Sequence, residues 1–179
     1  MSSINPIVQV AQQMMLGGAV KQNHALEHAT IVLLSRKFPE VRFSGSSFAA
    51  GFFVFGDVPT EAIMPAAQEA LNLLRTTNPE LAIHERCGTN LVVSSLLTGG
   101  AAMAVAKMRR PFGTFNNVVL ASTAALIIAR PLGLTVQRRV TTQTPNSSMR
   151  ILNVKPMKVL GAPAHFVSTD NPDASGLFS

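Results

Sequence analysis

With 179 residues the chain has room for one ordinary core and does not require a second. Charged residues are only 13 %, about half the usual share, while hydrophobic residues reach 47 % and mean hydropathy is positive, which turns the reading towards a membrane. The formal charge of +6 comes from 15 scattered Lys and Arg with no Trp or Tyr to stack bases, which argues against nucleic acid and for contact with anionic lipid headgroups.

A single cysteine, Cys87, excludes an internal disulfide framework and suits a reducing compartment. The first 20 residues lack a basic segment followed by an apolar core and a small-residue cleavage site, so no secretory signal is expected. Residues 7–20 are apolar with glutamines along one side and too short to span a bilayer; they are expected to lie on a membrane or against the core. From Lys21 to Lys37 the apolar spacing, with Ala25, Ile31 and Leu34, predicts a helix ended by Phe38-Pro39. Residues 41–57 set aromatic and β-branched residues around Gly45 and Gly51, which predicts two short strands joined by a small-residue turn. Thr60 is the expected N-cap of a helix running to Arg75, with Glu61 in its first turn favouring the dipole. After Pro79, the short apolar segment Leu81–His84 is expected as a strand.

Two apolar runs follow. Leu91–Ala106 carries no charge over 16 residues, and Val118–Ala129 continues the pattern up to Arg130 and Pro131. With their flanks, each approaches the roughly 20 residues that cross a bilayer core. Gly99-Gly100 and the many Ala and Ser let two such helices approach closely. Lys107–Asn117 between them is a short basic turn with two phenylalanines, as expected at a headgroup boundary. Beyond the hairpin, Val136–Thr144 and Met149–Val154 read as strands separated by Pro145-Asn146 that complete the earlier sheet. The tail from Ser168 is polar and turn-rich and is expected to be loosely ordered. The predicted fold class is therefore α+β, a small sheet with packed helices plus a two-helix transmembrane hairpin. Its expected parts are an N-terminal α+β part over 1–88, the hairpin over 89–136, and C-terminal strands and tail over 137–179.

The stretch that carries chemistry is Asn23–Thr30, where His24, Glu27 and His28 read H-x-x-E-H. At about 100° per residue, His28 lies about 40° from His24 and Glu27 about 60° to the other side, so all three share one helix face. Two imidazoles one turn apart can hold a divalent metal, for which zinc is expected, and the carboxylate can orient or deprotonate a metal-bound water. A third ligand is expected from Ile83–Asn90, which carries His84 and Cys87. His84 is favoured because a strand-end histidine reaches a neighbouring helix; Cys87 stands second and His165 is an outlying alternative. The bland alternative has His24 and His28 hydrogen-bonded inside a polar patch of the core, with Glu27 paired to one of them.

His24-Ala-Leu-Glu-His-Ala-Thr-Ile31, Gly56-Asp-Val-Pro-Thr60 and Cys87-Gly-Thr-Asn90, followed by an apolar hairpin, resemble an uncharacterised bacterial membrane family that carries a domain of unknown function. That family is known in cyanobacteria and other phyla. The resemblance covers roughly residues 20–145 and implies a small membrane-associated protein. Separately, residues 24–28 resemble the H-x-x-E-H motif of inverted-zincin metallopeptidases. That likeness implies His24 and His28 as zinc ligands, Glu27 as general base and a glutamate ligand downstream. Glu61, Glu69, Glu80 and Glu85 are available for it, but none stands in a matching local motif, and the chain is much smaller than those peptidases.

Two functions emerge from these readings. One is a zinc-dependent hydrolase of peptidase type acting near the membrane surface, with His24, His28 and either His84 or Cys87 on the metal and Glu27 as base. The other is a non-catalytic structural or accessory subunit of a membrane protein complex. The expected partners are membrane lipid and proteins within the membrane. The expected location is the cell membrane, multi-pass, with both termini cytoplasmic, because most of the soluble mass and the remaining Lys and Arg share the side of the termini.

Overall fold

The helix expected from Lys21 starts one turn earlier, as α1 (Gly18–Lys37), in a computed structural model that describes residues 17–108 and 114–172. It stops where Pro39 forbids helical geometry to the residue before it; the Phe38 N–H closes the last turn on the Leu34 carbonyl at 2.8 Å. The expectations for residues 7–16, for 109–113 of the basic turn and for 173–179 of the tail lie outside the described residues.

The chain divides into two compact units, residues 1–83 with 140–179, and residues 84–139. In the first, β1 (Ser44–Phe48) and β2 (Gly51–Phe55) form an antiparallel hairpin, with Phe48 opposite Gly51. After α2 (Thr60–Thr76), a 3-10 turn covers Pro79–Ala82. The sheet is then completed by two strands from the far end of the chain, Arg150–Val159 and Ala162–Asp170. The second of these pairs with β2, Val54 opposite His165, so the antiparallel order places it between β2 and Arg150–Val159. Phe52, Val54 and Val167 share one face and pack against α1 and α2. Ala62, Ile63, Ala66, Ala67, Ala70, Leu71 and Leu74 repeat at three- and four-residue intervals and make α2 a single apolar stripe. Burying a Leu, Ile or Phe side chain such as Leu26, Ile63 or Phe52 contributes about 1.5–3 kcal/mol each.

In the second unit α3 (Gly88–Lys107) and α4 (Thr114–Val136) pack on each other, and α4 runs on into one π-helical turn over Gln137–Thr141. No residue of α3 is buried, and Leu91, Leu96, Phe115 and Ile127 are 70 to 78 % exposed. The two helical spans, 20 and 27 residues, are long and apolar enough to cross a membrane by length and composition. Their polar ends interlock. Asn90 accepts from Gln137 Nε2 at 2.7 Å and donates to the Glu85 carbonyl at 2.7 Å, and Arg130 donates to Glu85 at 2.7 Å.

Five expectations need correction. Thr60 is the first helical residue of α2, not its cap; Pro59 holds the cap position with its pre-set φ and no side-chain hydrogen bond. Leu81–His84 is not a strand, because Pro79 opens a 3-10 turn and Ile83 closes it on the Glu80 carbonyl at 3.0 Å. Val136–Thr144 is not a strand either. Pro131 and Gly133 do not stop α4, and the β-branched residues continue the helix into the π turn. The strand expected over Met149–Val154 starts at Arg150 and extends to Val159 through Pro156; this strand, β3, forms a sheet edge, where a missing N–H is tolerated. Ser168–Asp170, expected as the start of a loose tail, belongs to the unforeseen strand β4 (Ala162–Asp170).

Candidate metal centre

The rotation of α1 about its own axis is set by buried amides. Asn23 donates to the carbonyls of Phe48 at 2.7 Å and Ala49 at 3.0 Å, and accepts from Thr169 Oγ1 at 2.8 Å. Gln22 Oε1 accepts from the Asn146 N–H at 2.9 Å and from Asn171 Nδ2 at 3.3 Å. Both side chains are fully buried, where an unpaired amide is costly, so the helix keeps the rotation that satisfies them.

That rotation sets His24 and His28 side by side, with ring centroids 4.3 Å apart in an edge-to-face arrangement. Each ring meets a backbone carbonyl through Nδ1: His24 with Thr141 O at 2.9 Å, and His28 with Ala82 O at 2.6 Å. A carbonyl oxygen only accepts, so Nδ1 carries the hydrogen in both rings. The neutral ring then presents an unprotonated Nε2, the tautomer that binds metals when an outer partner holds the other nitrogen.

Glu27, 5 % exposed, turns to β1, where Ser47 Oγ donates to its carboxylate at 2.5 Å. Gly45 is there because of it: a Cβ at that position would overlap the carboxylate. Burial raises the Glu27 carboxyl above its ordinary value, against the Ser47 hydrogen bond and the neighbouring His24, which lower it.

In the other unit, the His84 N–H donates to Gln137 Oε1 at 3.0 Å and its carbonyl accepts from the Cys87 N–H at 3.2 Å. Cys87 is buried and caps α3, its Sγ accepting from the Thr89 N–H at 3.4 Å, whereas His84 is half-buried. Glu61, Glu69, Glu80 and Glu85 are all exposed. Of these, Glu85 is held below the ordinary carboxylate value by Arg130. Ser47, Gly45 and the carbonyls of Ala82 and Thr141 were missed by sequence reasoning. A serine, a glycine and backbone oxygens carry no local pattern that names them.

A four-stranded antiparallel sheet backed by two helices, with two long exposed apolar helices inserted between its second and third strands in chain order, defines an α+β protein carrying a buried H-x-x-E-H helix. Residues 19–154 match the family described as Domain of unknown function (DUF6391), and the chain belongs to that family. It is 34 % identical over 167 residues to an uncharacterised protein of Picosynechococcus sp., a match covering 87 % of this chain and 81 % of the relative. No solved structure matches it.

Proposed function

We propose that this chain is a small multi-pass protein of the cell membrane, anchored by α3 and α4 with its termini cytoplasmic, in which His24, His28 and Cys87 hold a zinc ion. The observation that carries the metal reading is the pair of Nδ1–H bonds to Thr141 O and Ala82 O, because they present both Nε2 atoms in ligating form. Each of the three residues offers one ligand atom, an imidazole nitrogen or a thiol sulfur, and two imidazoles with a thiolate are a known zinc donor set. Ala82, whose carbonyl engages His28, precedes Cys87 by five residues, a tether of at most about 18 Å. Cys87 is favoured over His84 here because it is buried and His84 is half-exposed.

The finer reading is a hydrolase of peptidase type acting near the membrane surface. When bound, zinc acts as a Lewis acid that acidifies water. Glu27, the carboxylate beside the two imidazoles on α1, would take up the proton. Ser47 and Gly45 hold that carboxyl in place.

Zinc measured in detergent-purified protein tests the metal reading. Zinc is expected in the wild type and in His84→Ala, and is expected to be lost in His28→Ala and Cys87→Ala; a wild type without zinc overturns it. Glu27→Gln should keep the zinc and lose hydrolysis of an unfolded protein substrate. The second reading, a non-catalytic subunit, is favoured by the Ser47 contact, which uses Glu27 to join α1 to β1. It stands if the wild type hydrolyses nothing while binding partner proteins through α3 and α4.

A further inference from the structure

We propose that the tip of the β3–β4 hairpin is a lipid-docking finger that enters the headgroup layer of an anionic bilayer. The proposal extends the membrane reading above and rests on it for the presence of a bilayer; it adds a contact made by the sheet, separate from α3 and α4.

The sheet does not end evenly. The pairing of β2 with β4 stops at Phe55 opposite Ala164, where β1 begins with Ser44 opposite Phe55. Beyond that row β3 and β4 continue as Lys158 opposite Pro163 and Val159 opposite Ala162, and then turn at Leu160-Gly161. At about 3.3 Å per residue these three rows project roughly 10 Å past the other two strands. The Gly56 N–H donates to the Pro163 carbonyl at 3.4 Å and braces the base of the finger. Above that brace the side chains of Lys158 and Leu160 are exposed, and so are Gly161 and Ala162.

The residue at the tip is one that the fold by itself does not favour. Leu160 has φ of 50°, the left-handed geometry that suits Asn or Gly, and its side chain is 104 % exposed. Neither backbone conformation nor burial accounts for a leucine there, and a strained position with no packing gain points to function. Met157 and Val159 continue the apolar character towards the base. Lys155 and Lys158, an odd number of residues apart on β3, stand on opposite faces of the hairpin, and the stretch 150–169 contains no Asp or Glu. An apolar tip with a lysine on each face matches a bilayer surface: the acyl boundary takes the leucine within about 5–10 Å of depth, and anionic headgroups attract the lysines. A protein partner would need an apolar pocket inside an acidic rim, whereas a bilayer offers both, and the same chain carries two helices long and apolar enough to cross one.

The chain has no Trp, so Leu160→Trp places a single fluorescent reporter at the tip. The full chain carrying it is reconstituted, one copy per nanodisc, in phosphatidylcholine with or without phosphatidylglycerol, with plain or brominated acyl chains. In the anionic discs the emission is expected to shift to the blue, to be quenched by brominated lipid, and to lose at least about half of its quenching by aqueous acrylamide. Adding Lys155→Ala with Lys158→Ala should restore the acrylamide quenching and remove most of the quenching by lipid. A tip that stays open to acrylamide in anionic discs overturns the proposal. So does protection from acrylamide without quenching by brominated lipid, which marks a protein contact, and so does lipid quenching that is unchanged without the two lysines. Failure of the membrane reading is seen separately, as a chain recovered in the soluble fraction without detergent.

Discussion

His24 and His28 owe their chemical state to two backbone oxygens far away in sequence, 117 and 54 residues distant. The i, i+4 spacing was legible because helix geometry is local; the carbonyl partners were not, because nothing in a residue's identity marks its carbonyl as an acceptor. Glu27 follows the same rule. Its place on the helix was readable, yet its pairing with Ser47 rather than with a histidine was decided by the approach of β1. Gly45 permits that approach, so Gly45→Ala is expected to destabilise the protein by about 1–3 kcal/mol through overpacking. Thermal unfolding in detergent checks this. Glu27→Ala in the same chain should recover part of the loss, since it removes the group the new methyl meets.

Elements were legible in proportion to their length and periodicity. The helices predicted over Lys21–Lys37 and from Thr60 to Arg75 appear as α1 and α2, because an apolar stripe repeated over several turns allows few other solutions. Short segments were decided by their neighbours: Leu81–His84 has the composition of a strand but sits after a proline, and the turn over Pro79–Ala82 packs against α1 and α2. The strand β4 was missed because Ala162–Asp170 mixes small, polar and apolar residues and gains its order from two flanking strands. Its turn from β3 has a testable weakness. Leu160, wholly exposed, adopts φ of 50° beside Gly161 at 84°, a two-residue turn that favours Asn-Gly. Leu160→Asn is therefore expected to stabilise the protein by about 0.5–1 kcal/mol, read as a rise in the unfolding temperature.

For the whole molecule, the apolar surface of α3 and α4 is the dominant physical fact. Leu91, Leu96, Phe115 and Ile127 would each stand in water at a cost of about 1.5–3 kcal/mol per side chain relative to an apolar environment. The protein is expected to sediment with membranes and to resist alkaline carbonate and high salt; recovery in the soluble fraction without detergent contradicts the membrane reading. Composition and hydropathy determined the length and apolar surface of α3 and α4, together with the α+β class and the H-x-x-E-H helix, because each depends on residues close together in the chain. Tertiary structure alone decided that β4 runs between β2 and β3, that Ser47 and two distant carbonyls orient the helix side chains, and that the His165 ring is buried with an unpaired nitrogen. Those features join segments separated by the apolar hairpin or by tens of residues, and such pairings are selected by packing and hydrogen-bond satisfaction in three dimensions, not by any local pattern.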